Sequence, residues 1–231
     1  MINSFSKTDQ SLREEIISVA LKHVAFDGWS EMTIKRLCVE MKISRSIVDT
    51  LFPRGGVDLA LGFHESGDLE FQRTFLNIKE NKTSLRVREK IEHAIFLRLE
   101  IAFSNYEALR RSVGLFSTPF YLLEGANAIW NTSDIIWNTI GDESDDINWY
   151  SKRLVLSSVY SASMLFGIED YSSCREDTRA FIKRRIENVM SFETFKAKFP
   201  DMPILGFIAK KYGKDKFSRS EFKSQFPGWR S

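Results

Sequence analysis

A chain of 231 residues, 43% hydrophobic and with 19 phenylalanines, is long enough to bury a sizeable core without disulfide or metal staples. A formal net charge of +2 gives no whole-chain signal for nucleic-acid binding, and two cysteines far apart, Cys38 and Cys174, exclude a disulfide framework. Met1–Gln10 has neither the apolar stretch of a secretory signal nor the arginine richness of a transit peptide. The longest uncharged run, Leu154 to Ile168, falls short of the roughly 20 apolar residues that a bilayer crossing needs, so the expectation is a protein of a reducing compartment.

Helical spacing of apolar residues recurs along the whole chain and strand-like alternation is almost absent, which predicts an all-α fold. Ser11 and Glu14 have capping-box spacing and open a helix to about Phe26, closed by Gly28. Thr33 is expected to cap a short helix through Met41, and Ser44 another to about Leu51, before Pro53, Gly55 and Gly56 break the chain. A long helix follows over Val57 to about Asn77. Ser84 opens one reaching Phe103, and a shorter one covers Tyr106 to Phe116. Pro119 suits the first turn of a helix over Phe120 to Ile140. The polar break Gly141–Ser144 precedes helices over about Asp146 to Ile168 and Arg175 to Lys196, and Pro200 and Pro203 end the bundle. The predicted organisation is a three-helix unit over 1–56, a helical domain over 57–198 and a basic, aromatic tail over 199–231.

The helix from Leu154 to Ile168 is apolar almost all round, and its successor carries a stripe of Phe181, Ile182, Ile186, Val189 and Met190. The pair can bury itself against a second copy in a homodimer or within one subunit. Single aromatic residues in the middle helices serve a core or line an apolar cavity, and spacing does not separate the two uses.

The three short N-terminal helices, with a turn at Lys42–Ile43, resemble the helix-turn-helix of TetR-type repressors, whose second helix enters the major groove. The matching helix here, Ser44–Leu51, offers one Arg and one Asp. Residues 1–66 hold eight Lys and Arg against nine Asp and Glu, a balance of −1. Phosphate contacts supply most non-specific DNA affinity, so an acidic reading unit predicts no specific DNA binding.

Histidine occurs only at 23, 64 and 93. Glu89 and His93 share a helix face, but no Glu-x-x-His, HExxH, phosphate-cradling glycine loop or GxSxG elbow is present. His64, Glu65 and Asp68 read as a solvated helix face. The expectation is a chain with no catalytic residues, no metal and no cofactor of its own.

Five ordered segments carry a more specific resemblance. They are His23-Val24-Ala25-Phe26-Asp27-Gly28-Trp29-Ser30; Leu51-Phe52-Pro53-Arg54-Gly55-Gly56; Gly141-Asp142 with Asn148-Trp149-Tyr150-Ser151-Lys152-Arg153; Val159-Tyr160-Ser161; and Arg184-Arg185-Ile186-Glu187-Asn188-Val189-Met190. Over about residues 14 to 195 the chain resembles the ubiquinone-biosynthesis accessory proteins, the ninth member of the Coq set. It departs from their pattern at Ala25, where a Pro is expected, and at Gly167, where a Trp is common.

The resemblance implies a TetR-like homodimer that binds an isoprenoid quinone intermediate or a phospholipid and presents it to a di-iron demethoxyubiquinone hydroxylase. As a group, Phe96, Phe103, Phe116, Phe120, Tyr121, Trp130, Trp137, Tyr160, Met164 and Phe166 are the candidates for the lipid site. Asp142, Asn148, Trp149, Tyr150, Lys152 and Arg153 are the candidates for partner docking, as exposed aromatics beside an Arg, although a helix start packed on its neighbour gives the same pattern. The expected location is the bacterial cytoplasm at the inner membrane, or the mitochondrial matrix side in a eukaryote. The alternative is a ligand-responsive transcription regulator of TetR type.

From Lys196 onward nine basic residues face three acidic ones, a balance of +6. Ile204, Leu205, Phe207, Ile208, Lys210, Lys211 and Tyr212 are the residues expected to touch an anionic membrane surface, unless the tail folds back on the bundle.

Overall fold

The computed structural model describes residues 7–79, 85–144 and 147–198, with side-chain environments over 9–77, 85–144 and 149–189. Among these residues all regular structure is helical. The elements are α1 (Lys7–Asp27), α2 (Glu31–Met41), α3 (Arg45–Leu51), α4 (Gly56–Lys79), α5 (Val87–Phe103), α6 (Tyr106–Phe116), α7 (Leu122–Ile140), α8 (Ile147–Ile168), a 3-10 turn over Ser173–Arg175 and α9 (Glu176–Lys198). The closest structural agreement with the sequence reading is in α6, whose limits match.

Most differences lie at helix starts, where one backbone bond decides the boundary. Ser11 does not cap α1, because it lies inside a helix already begun at Lys7. Ser30, not Thr33, caps α2, accepting a bond from the Met32 N–H. Thr33 is buried within the first turn and donates its hydroxyl proton to the Gly28 carbonyl at 2.6 Å. Ser44 holds the cap position of α3 without a side-chain bond. Ser84 lies outside the described residues. α5 starts at Val87 instead, where the Glu89 carboxylate accepts from the Arg86 N–H at 2.9 Å. Phe120 and Tyr121 belong to the turn before α7 rather than to the helix.

The turn at Lys42 is as read. Lys42 takes the left-handed conformation (φ 55°, ψ 37°), and the N–H groups of Lys42 and Ile43 bond back to the Val39 and Cys38 carbonyls. This pattern satisfies the last carbonyls of α2 and turns α3 away from it.

Two apolar clusters form. The first gathers Ile16, Ile17, Ile34, Leu37, Val48, Leu51, Phe52 and Leu59 between α1–α3 and the start of α4. The second gathers Phe71, Ile95, Phe96, Leu99, Ile136, Tyr160, Ile182 and neighbours from α4, α5 and α7–α9. α4 runs through both, and Phe63 packs against each. The two units are also tied by Trp29 Nε1–H, donated to the Ala108 carbonyl at 3.2 Å, by Arg111, which donates to the Ala25 carbonyl at 3.0 Å, and by the Arg54–Glu124 ion pair at 3.1 Å. No helix among the described residues is long and apolar enough to cross a membrane.

Candidate functional site

The interior of the second unit is not wholly apolar. Arg98 stands in the run Ile95-Phe96-Leu97-Arg98-Leu99 of α5 and is 1% exposed. A buried guanidinium is stable only with a counter-charge and filled hydrogen-bond sites. Asp68 of α4, 4% exposed, supplies the charge: its Oδ1 accepts Arg98 Nε–H at 2.7 Å, and the His64 carbonyl accepts from Arg98 Nη2 at 3.0 Å. Space for the guanidinium comes from Gly67, where an added Cβ would lie 2.9 Å from Arg98 Cζ.

Thr132 of α7 completes the group. Its hydroxyl reaches Asp68 Oδ1 at 2.9 Å and the Ala128 carbonyl at 3.2 Å, and shares a hydrogen bond with His64 Nε2 at 2.7 Å. Burial, reinforced by the Arg98 charge and opposed by Asp68, brings the His64 pKa down to about 4, so the ring is neutral at pH 7. Burial also raises Tyr160 of α8 to about 12, with Asp68 adding to the rise and Arg98 opposing it. His64 and Asp68 therefore do not form the solvated face expected from the sequence. An Arg inside an otherwise apolar helical run was the available signal, together with His and Asp four residues apart on the helix before it.

A second polar knot lies where α7 turns into α8. Gly141 ends α7 at φ +91°, a left-handed conformation that glycine adopts without strain, and so delivers Asp142 to the start of α8. Asp142 accepts from Lys152 Nζ at 2.7 Å, from Ser144 Oγ at 2.9 Å and from Arg153 Nη1 at 3.1 Å. Burial pushes this carboxyl up, but the bonds from Lys152, Ser144 and Arg153 outweigh it and hold the pKa below the ordinary Asp value. Arg153 is fully buried. It also donates to Asp134 Oδ1 at 2.6 Å, to Asn138 Oδ1 at 3.1 Å and to the Trp149 carbonyl at 3.2 Å, with its guanidinium 4.0 Å above the Trp149 ring. Trp149 is 3% exposed and meets Trp130 and Tyr150 edge-on. Trp137 donates Nε1–H to the Lys152 carbonyl at 3.1 Å.

Trp149 and Arg153 are thus not the exposed anchors expected of a docking surface, because their polar and aromatic partners from α7 enclose them. Tyr150 and Lys152 are half-buried and form the outer edge of the knot. The side chain of Asn148 lies outside the described environments. The ten lipid candidates divide. Phe96, Phe103, Trp137, Tyr160 and Met164 are buried, Phe116, Tyr121 and Trp130 half-buried, and Phe120 and Phe166 exposed.

The two departures from the family pattern have local accounts. Ala25 sits inside α1, and its carbonyl receives Arg111. At Gly167 an added Cβ would lie 2.4 Å from Phe103 Cζ, so here the Phe103 ring occupies the place a large side chain would take. Arg175 closes over that ring at 4.0 Å and donates to the Gly167 carbonyl at 2.8 Å.

On the helix matching the DNA-reading element, Arg45 is ion-paired with both Glu31 and Asp49. These bonds raise its pKa further and lower that of Glu31. On α8, Leu154, Leu165 and Phe166 remain exposed, and Phe166 stacks on Phe181 of α9 with centroids 4.5 Å apart. The seven membrane-contact candidates from Ile204 to Tyr212, like Pro200 and Pro203, lie outside the described residues. Among the described residues no group of His, Cys, Asp and Glu has the arrangement of a metal site.

Comparison with known proteins gives this geometry relatives. Residues 122–193, which hold α7, the polar knot, α8 and most of α9, match the COQ9 family model. The ubiquinone biosynthesis protein COQ9-A, mitochondrial, of Xenopus laevis is 30% identical over 192 residues, 80% of this chain and 60% of its own length. The human COQ9 protein is 25% identical over 191 residues, covering 80% of this chain and 59% of its own length. The Schizosaccharomyces pombe protein is 28% identical over 174 residues, covering 75% and 68%. The chain thus spans about 60% of the length of the first two relatives. Among solved structures, a TetR transcriptional regulator from Nitrosomonas europaea superposes with a TM-score of 0.62 at 16% identity, covering 76% of this chain and 96% of that one. At that identity the likeness shows the fold: an all-α, TetR-like bundle.

Proposed function

We propose that this chain, a COQ9 homologue carrying a COQ9 domain, is a non-catalytic accessory protein of ubiquinone biosynthesis, which binds a quinone-type isoprenoid intermediate in its helical domain and presents it to a membrane-associated di-iron hydroxylase. The observation that carries the reading is the similarity, over 80% of the chain, to relatives named as ubiquinone biosynthesis proteins. The relatives are mitochondrial by name, which supports a place on the matrix side of the inner membrane in a eukaryote, with the bacterial cytoplasmic face as the counterpart.

Three features of the structure support the assignment. Among the described residues every fully buried aromatic side chain but Phe52 belongs to the α4–α9 unit, where an isoprenoid tail would be held. The outward apolar strip of α8 and its stack with α9 suit pairing with a second copy, so the working form is a homodimer. The half-buried edge of the polar knot, Tyr150 and Lys152, is rigidly backed by Trp149, Arg153 and Asp142, as a docking surface requires. Against the alternative, a TetR-type transcription regulator, the one Arg of the would-be reading helix is already engaged by two carboxylates.

Reconstitution with the hydroxylase on vesicles carrying its quinone substrate tests the reading. Adding the protein should raise turnover several-fold, and Tyr150→Ala with Lys152→Glu should abolish the increase in protein that circular dichroism shows to be folded, with a lowered melting temperature because the Lys152–Asp142 bond is lost. If the hydroxylase works equally well with and without the protein, the accessory role is wrong.

A further inference from the structure

α8 carries two hydroxyl groups that the fold leaves unmatched. Tyr160 and Ser163 are both 0% exposed, and neither Tyr160 Oη nor Ser163 Oγ has a hydrogen-bond partner among the described residues. Buried hydroxyls are rarely left so, because each gives up water on burial.

The habit of the other hydroxyls sharpens the point. Ser112, Ser133, Thr139, Ser158 and Ser161 each donate to a backbone carbonyl one turn back in their helix. That partner is available to any helical serine, and Ser163 does not take it. Tyr160 and Ser163 are three residues apart and share one face of α8. Tyr160 packs in the cluster that holds Ile95 and Leu99, the neighbours of Arg98 on α5, and the Arg98 and Asp68 charges both act on its hydroxyl.

We infer that Tyr160 and Ser163 form a head-group anchor for a neutral, oxygen-bearing aromatic ring such as a quinone or its phenol precursor, deep in the α4–α9 unit. The inference rests on the proposed lipid-binding role and specifies its ligand. Two hydroxyl donors on one helix face suit the carbonyl and alkoxy oxygens of such a ring, which accept but carry no charge. An anionic phosphate head is disfavoured. The nearby cation is already matched by Asp68, so the site offers a neutral ion pair, and a buried anion there would lack a counter-charge. The ion pair fixes the geometry in place of binding charge: Arg98, Asp68, Thr132 and His64 are bonded to one another across α4, α5 and α7.

The test uses the full chain, stripped of lipid, with Tyr160→Phe and Ser163→Ala as separate variants. Affinity is measured by calorimetry for a decyl-tailed dimethoxybenzoquinone and for dioleoyl phosphatidylglycerol. Each variant should bind the quinone about tenfold more weakly and the phospholipid as the wild type does. Removing an unmatched hydroxyl should also leave the lipid-free melting temperature level or higher, and lower only that of the quinone-loaded protein. Unchanged quinone affinity would overturn the anchor and leave the hydroxyls to an ordinary structural water. An equal loss for both lipids would overturn it as a packing effect. If the wild type binds neither lipid, the lipid-carrier reading fails and the anchor falls with it.

Discussion

Replacing Asp68 by Ala removes the carboxylate that pairs with the buried Arg98 guanidinium. Their side chains are 5% and 2% exposed and meet at 2.7 Å. Solvent cannot take over the guanidinium when the partner goes, so the cost is that of stranding a buried charge, about 3–5 kcal/mol, rather than the fraction of a kcal/mol typical of a surface pair. Thr132 loses its shorter acceptor as well and keeps only the Ala128 carbonyl at 3.2 Å, which adds to the cost within that range. For a domain of this size 1 kcal/mol corresponds to about 2–4 °C, so the melting temperature should fall by about 6–20 °C. Urea unfolding followed by far-UV circular dichroism, at one fixed protein concentration, gives the free energy directly. The double variant Asp68→Leu with Arg98→Met should recover most of the loss, because both charges leave together. The single variants Asp68→Leu and Arg98→Met and the double then close a thermodynamic cycle with a coupling well above 1 kcal/mol. A loss below about 1 kcal/mol for Asp68→Ala, or a double variant no better than the singles, would refute the picture of a sealed ion pair.

His64 gives the same interior a pH signature. Its folded pKa of about 4 lies below the ordinary 6.5, so between those values the unfolded chain holds a proton that the folded chain does not. Stability is therefore complete above about pH 6.5 and falls by about 3 kcal/mol as the pH drops to about 4; in His64→Gln, melting curves over pH 7 to 5 should lose most of that slope, and an unchanged slope would assign it elsewhere. Gly167→Trp should not fold stably, since its Cβ alone meets Phe103 Cζ at 2.4 Å, and adding Phe103→Ala should restore part of the melting temperature. If Gly167→Trp melts within a few degrees of the wild type, Phe103 is not the occupant of that space. The full chain should sediment with anionic vesicles in a salt-sensitive manner, and a chain ending at Phe199 should lose most of that binding, each Lys or Arg near the surface having contributed about 1 kcal/mol; equal sedimentation would remove the tail from membrane contact.

The fold class was legible because apolar spacing is helical nearly everywhere, and Gly28, Gly55 and Gly141 mark chain reversals at positive φ. Helix starts were less legible, because Ser11, Ser30, Thr33 and Ser44 all have capping chemistry and only the three-dimensional path selects Ser30. At the site, the segment from Asn148 to Arg153 was read as functional, but its burial was not. Trp149 and Arg153 are enclosed by Trp130, Asp134 and Asn138 from a helix that sequence alone does not place beside them. The interior cluster was missed for the same reason. His64 and Asp68 look solvated until Arg98, some thirty residues on, is known to face them. Gly167 carried a visible departure from the family pattern, yet its compensation by Phe103 is a contact between α5 and α8 with no local trace.

The central claim is that the helical interior holds a quinone-type lipid. Native mass spectrometry of the protein purified from a ubiquinone-producing host, with organic extraction and identification of whatever it releases, tests this most directly. The account predicts dimeric protein with an isoprenoid quinone intermediate bound at up to one per subunit, and Tyr160→Phe protein depleted of it. Protein that carries no lipid above the level of an unrelated helical protein from the same host would contradict it.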